Sequence, residues 1–431
     1  MGIFKKVLIA SSALSFILSS PLMASKRLSG AGATFPSKIY TRWFFDLAKS
    51  GGARVNYQAV GSGSGRRAFI DQTVNFGASD EPMKESDIQK IDKGLVQIPM
   101  VGGTIAFGYN YECDLKLTQE QAVQVAMGII KNWREIGCKE GKLTWTHRSD
   151  GSGTTKAFTN SMQAFSSLWT LGTGKSVKWP SGVGAKGNAG VSGVIQNTPG
   201  AIGYVNQSYI RGNVKAAALQ NSSGEFIKPN EESGAIALNG ITLDKNLAGT
   251  NPNPKAKGAY PISTLTWILA YQSGNGRNAN ALQETFYKLL SKEYQSKASE
   301  LGFIPLKGEI LKKSIDAVGK IGRWSIVLGQ LKKINSEQFI GIMESLSDPI
   351  RINILELMMG GEICVCDIVK VTGLSQSRIS YHVKILKDSG LISDRQEGRW
   401  VYYKLDLEVL SDIQNWMGNL IQSSSSKRSC E

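Results

Sequence analysis

Histidine is nearly absent from this 431-residue sequence: only His147 and His382 occur, and neither stands near a candidate nucleophile or a paired acid. That leaves no catalytic constellation, and a protein that is not an enzyme is expected. Long apolar runs are missing as well. The stretch of apolar or small residues from Val7 to Leu18 spans 12 residues, well short of the ~20 that a membrane-crossing helix needs. No later run is long enough, which excludes a polytopic membrane protein, and a hydrophobic share of 41% excludes wholesale disorder. A nucleotide-binding P-loop is lacking too. Gly172-Thr173-Gly174-Lys175-Ser176 has the ending of one, but Trp169 holds the position of the required first glycine. An ATPase is excluded.

What the sequence has begins with an export signal. Lys5 and Lys6, the run Val7 to Leu18, and Pro21 to Ala24 ending in a small residue read as a secretory signal over residues 1–24. No cysteine follows the run, so no lipid anchor is indicated there. The 47 glycines predict many tight loops. The formal net charge of +15 suggests a nucleic-acid binder, but its distribution does not. Residues 1–322 hold 37 Lys and Arg against 22 Asp and Glu, whereas residues 323–431 hold 13 of each. The two parts need separate explanations.

Five cysteines fall into two sets. Cys113 and Cys138 lie in the exported part, either bridged, which adds ~3 kcal/mol in the chain-entropy picture, or as two buried thiols. Cys364 and Cys366 form a Cys-x-Cys, and Cys430 stands in a polar tail. A close thiol pair serves a soft metal or metalloid only when reduced; otherwise these are two half-buried core residues. The two sets point to different redox compartments.

Residues 26–322 alternate short β-rich runs (Val55 to Val60, Leu143 to His147, Ala201 to Val205) with helical stretches (Lys38 to Lys49, Thr118 to Ile130, Ala279 to Leu301, Ile310 to Ile321), an α/β pattern. Three loops that open helices stand out: Gly30 to Pro36, Gly61 to Gly65, and Arg148 to Thr155. Each offers free backbone N–H groups at a helix start, small residues for close approach, and hydroxyl donors. Together they are the means of holding a tetrahedral oxyanion.

Gly-Ala-Gly-Ala-Thr-Phe-Pro (30–36), Phe-Gly-Ala-Ser-Asp (76–80), Arg-Ser-Asp-Gly-Ser-Gly-Thr (148–154), Trp-Pro-Ser-Gly-Val-Gly (179–184) and Pro-Gly-Ala-Ile-Gly-Tyr-Val (199–205) resemble the phosphate-binding proteins of bacterial phosphate ABC importers, the PstS type. The resemblance covers about residues 26–322. It implies a two-lobed α/β periplasmic binding protein (type II) over 25–322, with lobe one at about 26–108 plus 256–322 and lobe two at about 109–255. The implied ligands to inorganic phosphate are Thr34, Phe35 (backbone), Ser62, Asp80, Arg148, Ser152, Gly153 (backbone) and Thr154, and the implied partner is the membrane permease of the importer. The chemistry of the set is readable. Arg148 supplies a charge-assisted fork to two oxygens, and Asp150 is placed to hold its guanidinium. Hydrogen phosphate carries a proton to donate to Asp80, whereas sulfate does not, so sulfate leaves two acceptors facing each other in a dry site. Arsenate also carries a proton, and only size and geometry separate it from phosphate.

Beyond a join at 323–335, residues 336–422 read as helix, helix, helix, turn, helix, then two β-rich runs, Leu391 to Arg395 and Arg399 to Leu405, and a last helix, Leu407 to Gln422. A polar tail, 423–431, follows. Thr372-Gly373-Leu374 leads to Ser375 as N-cap of a reading helix. Leu374, Ile379, Val383 and Leu386 are spaced to face a core, leaving Gln376, Ser377, Arg378, Ser380, Tyr381 and Lys384 for DNA. Lys384, Arg395 and Arg399 are candidates for phosphate contacts. A winged helix used for protein contact is the alternative.

Asp348-Pro349-Ile350-Arg351, Cys364-Val365-Cys366-Asp367, the run Leu374 to Leu386, and Gly398 to Tyr403 resemble the ArsR/SmtB repressors. That resemblance implies a mainly α winged helix-turn-helix that forms a homodimer and leaves operator DNA when metal or arsenite binds. Cys364 and Cys366 would capture As(III). The position three residues after Cys366 is Val369, so a third thiol is absent there, and Leu407 to Gln422 lacks the His and Cys of a zinc site. His382 is expected to be structural or near DNA. No cofactor is expected beyond these ligands. The phosphate-binding part is expected in the periplasm, while a working repressor requires cytoplasm. The alternative is a cytoplasmic regulator whose fused module senses phosphate or arsenate.

Overall fold

The structure is a computed structural model that describes residues 26–322, 336–407, 409, 410 and 413. The expected signal segment 1–24, the join 323–335, most of the last helix, and the tail 423–431 with Cys430 lie outside the described residues. The chain divides into two compact units, Met1–Ser325 and Ile326–Glu431.

The first unit is built on a nine-stranded sheet. Its main path runs Arg54–Ala59, Arg27–Gly32, Phe76–Ser79, Ser263–Tyr271, Leu95–Tyr109, Ala201–Asn206, Thr144–Arg148 and Val183–Ala185, with Lys215–Ala216 paired beside Leu95–Tyr109. The 15-residue strand Leu95–Tyr109 joins two lobes. Its residues 95–104 pair antiparallel with Ser263–Tyr271, and its residues 105–109 pair antiparallel with Ala201–Asn206. The chain therefore passes between lobes within one strand, at Thr104 and Ile105. The sequence does not announce this element, because Pro99, Gly102 and Gly103 interrupt the β pattern. It persists because nearly every residue along it is buried on both faces, as in a sheet covered by helices.

Strand-to-helix turns set the site. Arg27–Gly32 and Arg54–Ala59 pair in parallel and feed helices Ser37–Lys49 and Ser62–Ile70, while Thr144–Arg148 feeds Gly153–Phe165. In such sheets, loops at the carboxyl ends of parallel strands form the binding crevice. Tyr40 and Phe44 of the first helix pack against Tyr57, and Phe44 also against Phe76, while Trp43 Nε1 donates to the Tyr294 carbonyl at 2.8 Å, fixing that helix on the sheet. The single helix expected over Ala279 to Leu301 is instead two, Ala279–Leu290 and Lys292–Glu300. Ser291 between them is extended (φ −66°, ψ 155°), and its hydroxyl donates to the Lys288 carbonyl at 2.7 Å. Cys113 and Cys138 are bridged, with Cα atoms 5.8 Å apart, which settles the alternative left open by the sequence.

The second unit packs helices Ser336–Leu346, Pro349–Leu357, Val365–Thr372 and Gln376–Asp388 around Ile354, Ile368, Ile379, Val383, Leu386 and Leu391. Asp348 caps the second helix: its Oδ1 accepts from the N–H groups of Ile350 at 2.8 Å and Arg351 at 3.2 Å. Strands Ile392–Glu397 and Trp400–Leu405 form the expected wing. A third short strand, Ile363–Cys364, pairs with Trp400–Leu405; at two residues it leaves no periodic trace in the sequence. Gly373 ends Val365–Thr372 in a left-handed turn (φ 70°). Ser375 occupies the N-cap position of Gln376–Asp388, but its hydroxyl makes no capping bond and lies 3.3 Å from that of Ser377.

Candidate functional site

In the first unit, helix starts from both lobes meet. Thr34 precedes Ser37–Lys49 and Ser62 opens its own helix in lobe one; Ser152 caps Gly153–Phe165 in lobe two, its Oγ accepting the Thr155 N–H at 3.0 Å. Asp80 follows the end of strand Phe76–Ser79, and Arg148 ends strand Thr144–Arg148. Ser62, Asp80, Arg148, Ser152 and Thr154 are all at most 4% exposed, and Thr34 is 8% exposed.

Direct bonds tie Ser62, Asp80, Arg148 and Thr154 into one cluster across the cleft. The Thr154 hydroxyl donates to Asp80 Oδ2 at 3.3 Å and lies 3.4 Å from Arg148 Nη1. Thr266 donates to Asp80 Oδ1 at 2.9 Å, and the Asp80 N–H donates to Ser62 Oγ at 3.2 Å. Arg148 is forked onto Asp150, Nε to Oδ1 at 2.7 Å and Nη2 to Oδ2 at 2.5 Å. Its Nη1 edge is left toward Thr154. The Gly153 and Thr154 N–H groups are the first two of their helix and have no intrahelical acceptor. The Phe35 N–H meets no acceptor among the described residues, while its ring packs edge-on against Phe303.

Two glycines allow the lobes to come this close. Gly61 sits at φ +92° with Asp150 against it, and a Cβ on Gly153 would lie 2.6 Å from Ser62 Oγ. The Gly63 N–H donates to the Gly151 carbonyl at 2.7 Å, a further bond between lobes.

Asn188 is a site residue that sequence reasoning missed. Fully buried at the start of Gly187–Asn197, it donates from Nδ2 to Thr34 Oγ1 at 3.0 Å and to Thr154 Oγ1 at 3.2 Å. Its Oδ1 accepts the Asn206 N–H at 2.9 Å. The only sequence signal was Gly187-Asn188 a few residues past the quoted 179–184 motif.

The electrostatics divide the two acids. Burial pushes Asp80 up to about 7, against the opposing pull of the Thr266 hydroxyl, the Arg148 charge and the Thr154 hydroxyl. Burial also works against the Asp150 charge, but the bonds to Arg148, its charge and the Gly187 N–H outweigh it and hold Asp150 below the usual range. One carboxyl is thus a fixed counter-charge, and the other is poised between donor and acceptor near neutral pH.

In the second unit, Gln376, Ser377, Arg378, Ser380, Tyr381 and Lys384 form one exposed face of Gln376–Asp388, opposite buried Ile379, Val383 and Leu386. Arg399 is exposed, its guanidinium 5.5 Å from the Trp400 ring centre. Arg395 is exposed but not free. It is paired to Glu362 at 2.9 Å and Glu397 at 2.7 Å, and lies over Tyr402. A phosphate contact by Arg395 would have to compete with those two carboxylates. His382 is buried, with Nδ1 3.9 Å from Asp348 Oδ1. Cys364 caps Val365–Thr372, its sulfur accepting the Asp367 N–H at 3.4 Å. Cys364 and Cys366 are joined in a disulfide here, not the reduced pair expected; their Cα atoms, 5.4 Å apart across the helix start, are within bridging range. Ligand atoms of Cys364, Cys366 and Asp367 all lie within 4.8 Å of one another.

Comparison with known proteins follows the same division. A PBP superfamily domain matches residues 20–293, and the arsR family of bacterial regulatory proteins matches residues 348–394. The phosphate-binding protein PstS of Pasteurella multocida is 34% identical over 307 residues, covering 67% of this chain and 89% of that protein. PstS of Haemophilus influenzae is 34% identical over 310 residues, covering 68% and 92%. PstS of Methanocaldococcus jannaschii is 29% identical over 331 residues, covering 67% and 85%. Among solved structures, a high affinity periplasmic phosphate-binding protein (PfluDING) bound with phosphate superposes with a TM-score of 0.58 at 19% identity, covering 69% of this chain and 99% of that one. The phosphate binding protein from Stenotrophomonas maltophilia gives 0.57 at 20% identity, covering 68% and 94%. These structures establish the two-lobed binding-protein fold. The chain belongs to the PBP superfamily as a protein of the PstS type, with an ArsR-family helix-turn-helix module fused at its C-terminal end.

Proposed function

We propose that the first unit captures inorganic phosphate between its lobes and delivers it to the membrane permease of a phosphate ABC importer. The observation that carries this reading is the closed, buried cluster in which Asp80, Arg148, Thr154, Ser62 and Thr34 touch one another or a shared neighbour across the cleft. The roles follow from the chemistry. Arg148, held by Asp150, balances the charge; the N–H groups of Phe35, Gly153 and Thr154 and the hydroxyls of Thr34, Ser62, Ser152 and Thr154 donate to oxygens; Asp80 accepts the proton that hydrogen phosphate carries. Unlike sulfate, such an anion fills every partner, and an unfilled buried acceptor costs on the order of 1–3 kcal/mol. Calorimetric titration of the full chain with phosphate, sulfate and arsenate tests this. Phosphate binding that survives Asp80→Ala combined with Arg148→Ala defeats it.

The second unit is proposed to be a dimeric repressor that grips operator DNA with the exposed face of Gln376–Asp388 and releases it on As(III) capture. The capture requires the reduced form of Cys364 and Cys366, whose thiolates are the soft ligands, with the Asp367 carboxylate beside them. The bridged Cys113 and Cys138 favour export of the phosphate unit, whereas DNA and reduced thiols belong to the cytoplasm. Immunoblots of periplasmic and cytoplasmic fractions with antibody to the last hundred residues decide between them. A full-length periplasmic band supports the exported receptor; a full-length cytoplasmic band supports a regulator whose fused module senses phosphate or arsenate.

A further inference from the structure

Behind the anion cluster lies a buried ion network that the proposed ligand set does not use. Arg66 stands one turn into helix Ser62–Ile70 and is 2% exposed. Its Nη1 donates to Glu81 Oε2 at 2.8 Å and its Nη2 to Asp87 Oδ2 at 2.6 Å. Glu81, 7% exposed, is the residue after Asp80. The turn carrying both acids is fastened twice more. Ser79 Oγ donates to the Glu81 carbonyl at 2.6 Å and accepts the Glu81 N–H at 3.1 Å, and Ser62 Oγ accepts the Asp80 N–H. Helix Ser62–Ile70 and the turn 79–81 are thus joined at two levels: by Ser62 at the anion, and by Arg66 a turn behind it.

We infer that Arg66 and Glu81 are positioning residues for Asp80: their ion pair fixes the acid-bearing turn against the Ser62 helix and keeps the Glu81 charge from acting on the Asp80 carboxyl. This rests on the phosphate-binding reading and adds how its selectivity is maintained. A buried carboxylate stripped of its cation is costly and acts strongly on a neighbouring acid, because little water screens it. The groups around Asp80 are Arg148 and Asp150 from lobe two, Tyr40, Tyr57 and Tyr209 from the elements packed on it, and the Glu81, Arg66 and Asp87 network behind it. Lys156 and Lys175 lie near Glu81, and Lys84 lines the same cavity as Asp80 and Glu81. Of these cations only Arg66 is bonded to Glu81 among the described residues. With Glu81 uncompensated, Asp80 holds its proton to higher pH. It then stops accepting from phosphate and starts donating to sulfate.

The test compares phosphate and sulfate affinity of the full chain, by calorimetry from pH 6 to pH 9, in the wild type and three variants. Arg66→Met is expected to lower the phosphate-to-sulfate affinity ratio at pH 7.5 by about tenfold, the effect of one unit of proton affinity, and to move the pH at which phosphate affinity rises upward. Glu81→Gln leaves Arg66 in excess, so the same midpoint moves downward and the ratio is held or raised. Arg66→Met with Glu81→Gln restores the ratio to within about threefold, since neither charge remains. A purely structural role lowers both affinities together and leaves ratio and midpoint where they were; that result, in variants with wild-type circular dichroism, overturns the inference. Should Arg66→Met not fold, the downward midpoint shift of Glu81→Gln carries the test, and its absence is equally fatal. A wild type that fails to bind phosphate sinks the underlying reading instead, so the two failures are distinguishable.

Discussion

The two units hold their candidate chemistry in opposite ways. In the first, the groups proposed to meet the anion are inside the protein: Ser62 is 1% exposed and Asp80 3%, and even Arg148 is sealed with Asp150. In the second, the reading face is outside, with Tyr381 63% exposed and the cations of the wing in solvent, Arg395 among its acidic neighbours. The basic excess of the chain lies in the unit whose site contains one arginine, and the charge-neutral unit is the one expected to touch DNA. Net charge therefore says little about either function. A buried site selects through desolvation, where one unmatched partner is decisive; an exposed face works through many weak, salt-screened contacts.

The largest effect expected from this contrast is at Arg148. Arg148→Met leaves Asp150 buried without its cation and removes the guanidinium proposed to balance the anion, so phosphate binding should weaken by about 3–5 kcal/mol in calorimetry. A loss below tenfold breaks the comparison, because it makes the buried arginine behave like a surface one. Next comes Asp80. Burial raises its carboxyl to about 7 from an ordinary value of 3.8, so the stability its protonated form provides is complete below pH 4 and is lost as pH rises toward 7. Asp80→Asn has no such loss. Its urea-unfolding stability should gain on the wild type across that window by roughly 4 kcal/mol; parallel pH profiles contradict the burial argument.

The effects on the exposed face should be smaller and should depend on salt. Against a duplex selected from a random pool, Arg378→Ala is expected to cost about 1–3 kcal/mol, and Lys384→Ala to reduce the salt-dependence slope by about 1. Arg395→Ala should cost less than either, since Glu362 and Glu397 already neutralise it. A larger effect at Arg395 would mean that the wing, rather than the helix, carries the grip.

These contrasts also explain what was legible in the sequence. Ser62, Arg148 and Thr154 could be read because each belongs to a loop of glycines and hydroxyls at a helix start, where the chain must leave backbone N–H groups free; Asp80 follows a strand end with no helix start beside it, and only the resemblance carried by Phe-Gly-Ala-Ser-Asp (76–80) pointed to it. Asn188 could not, because its helix follows a three-residue strand, Val183–Ala185, too short to register as a strand-to-helix turn. The strand Leu95–Tyr109 was hidden by Pro99 and its glycine pair, and only tertiary pairing with both lobes makes it continuous. The reading face of Gln376–Asp388 was legible because a solvent-facing helix shows its period directly. The tie between Arg395 and Glu362 was not, as the partners are 33 residues apart and meet through the short strand Ile363–Cys364.

The most direct test is calorimetric titration of the full chain at pH 8 with phosphate and, separately, sulfate, in the wild type and in Asp80→Asn. Tight phosphate binding with negligible sulfate binding in the wild type, and loss of that preference in the variant whose amide donates to either anion, is the outcome expected if one buried carboxyl checks the anion for its proton. Equal affinity for both anions in the wild type, or an undiminished preference in Asp80→Asn, would contradict it.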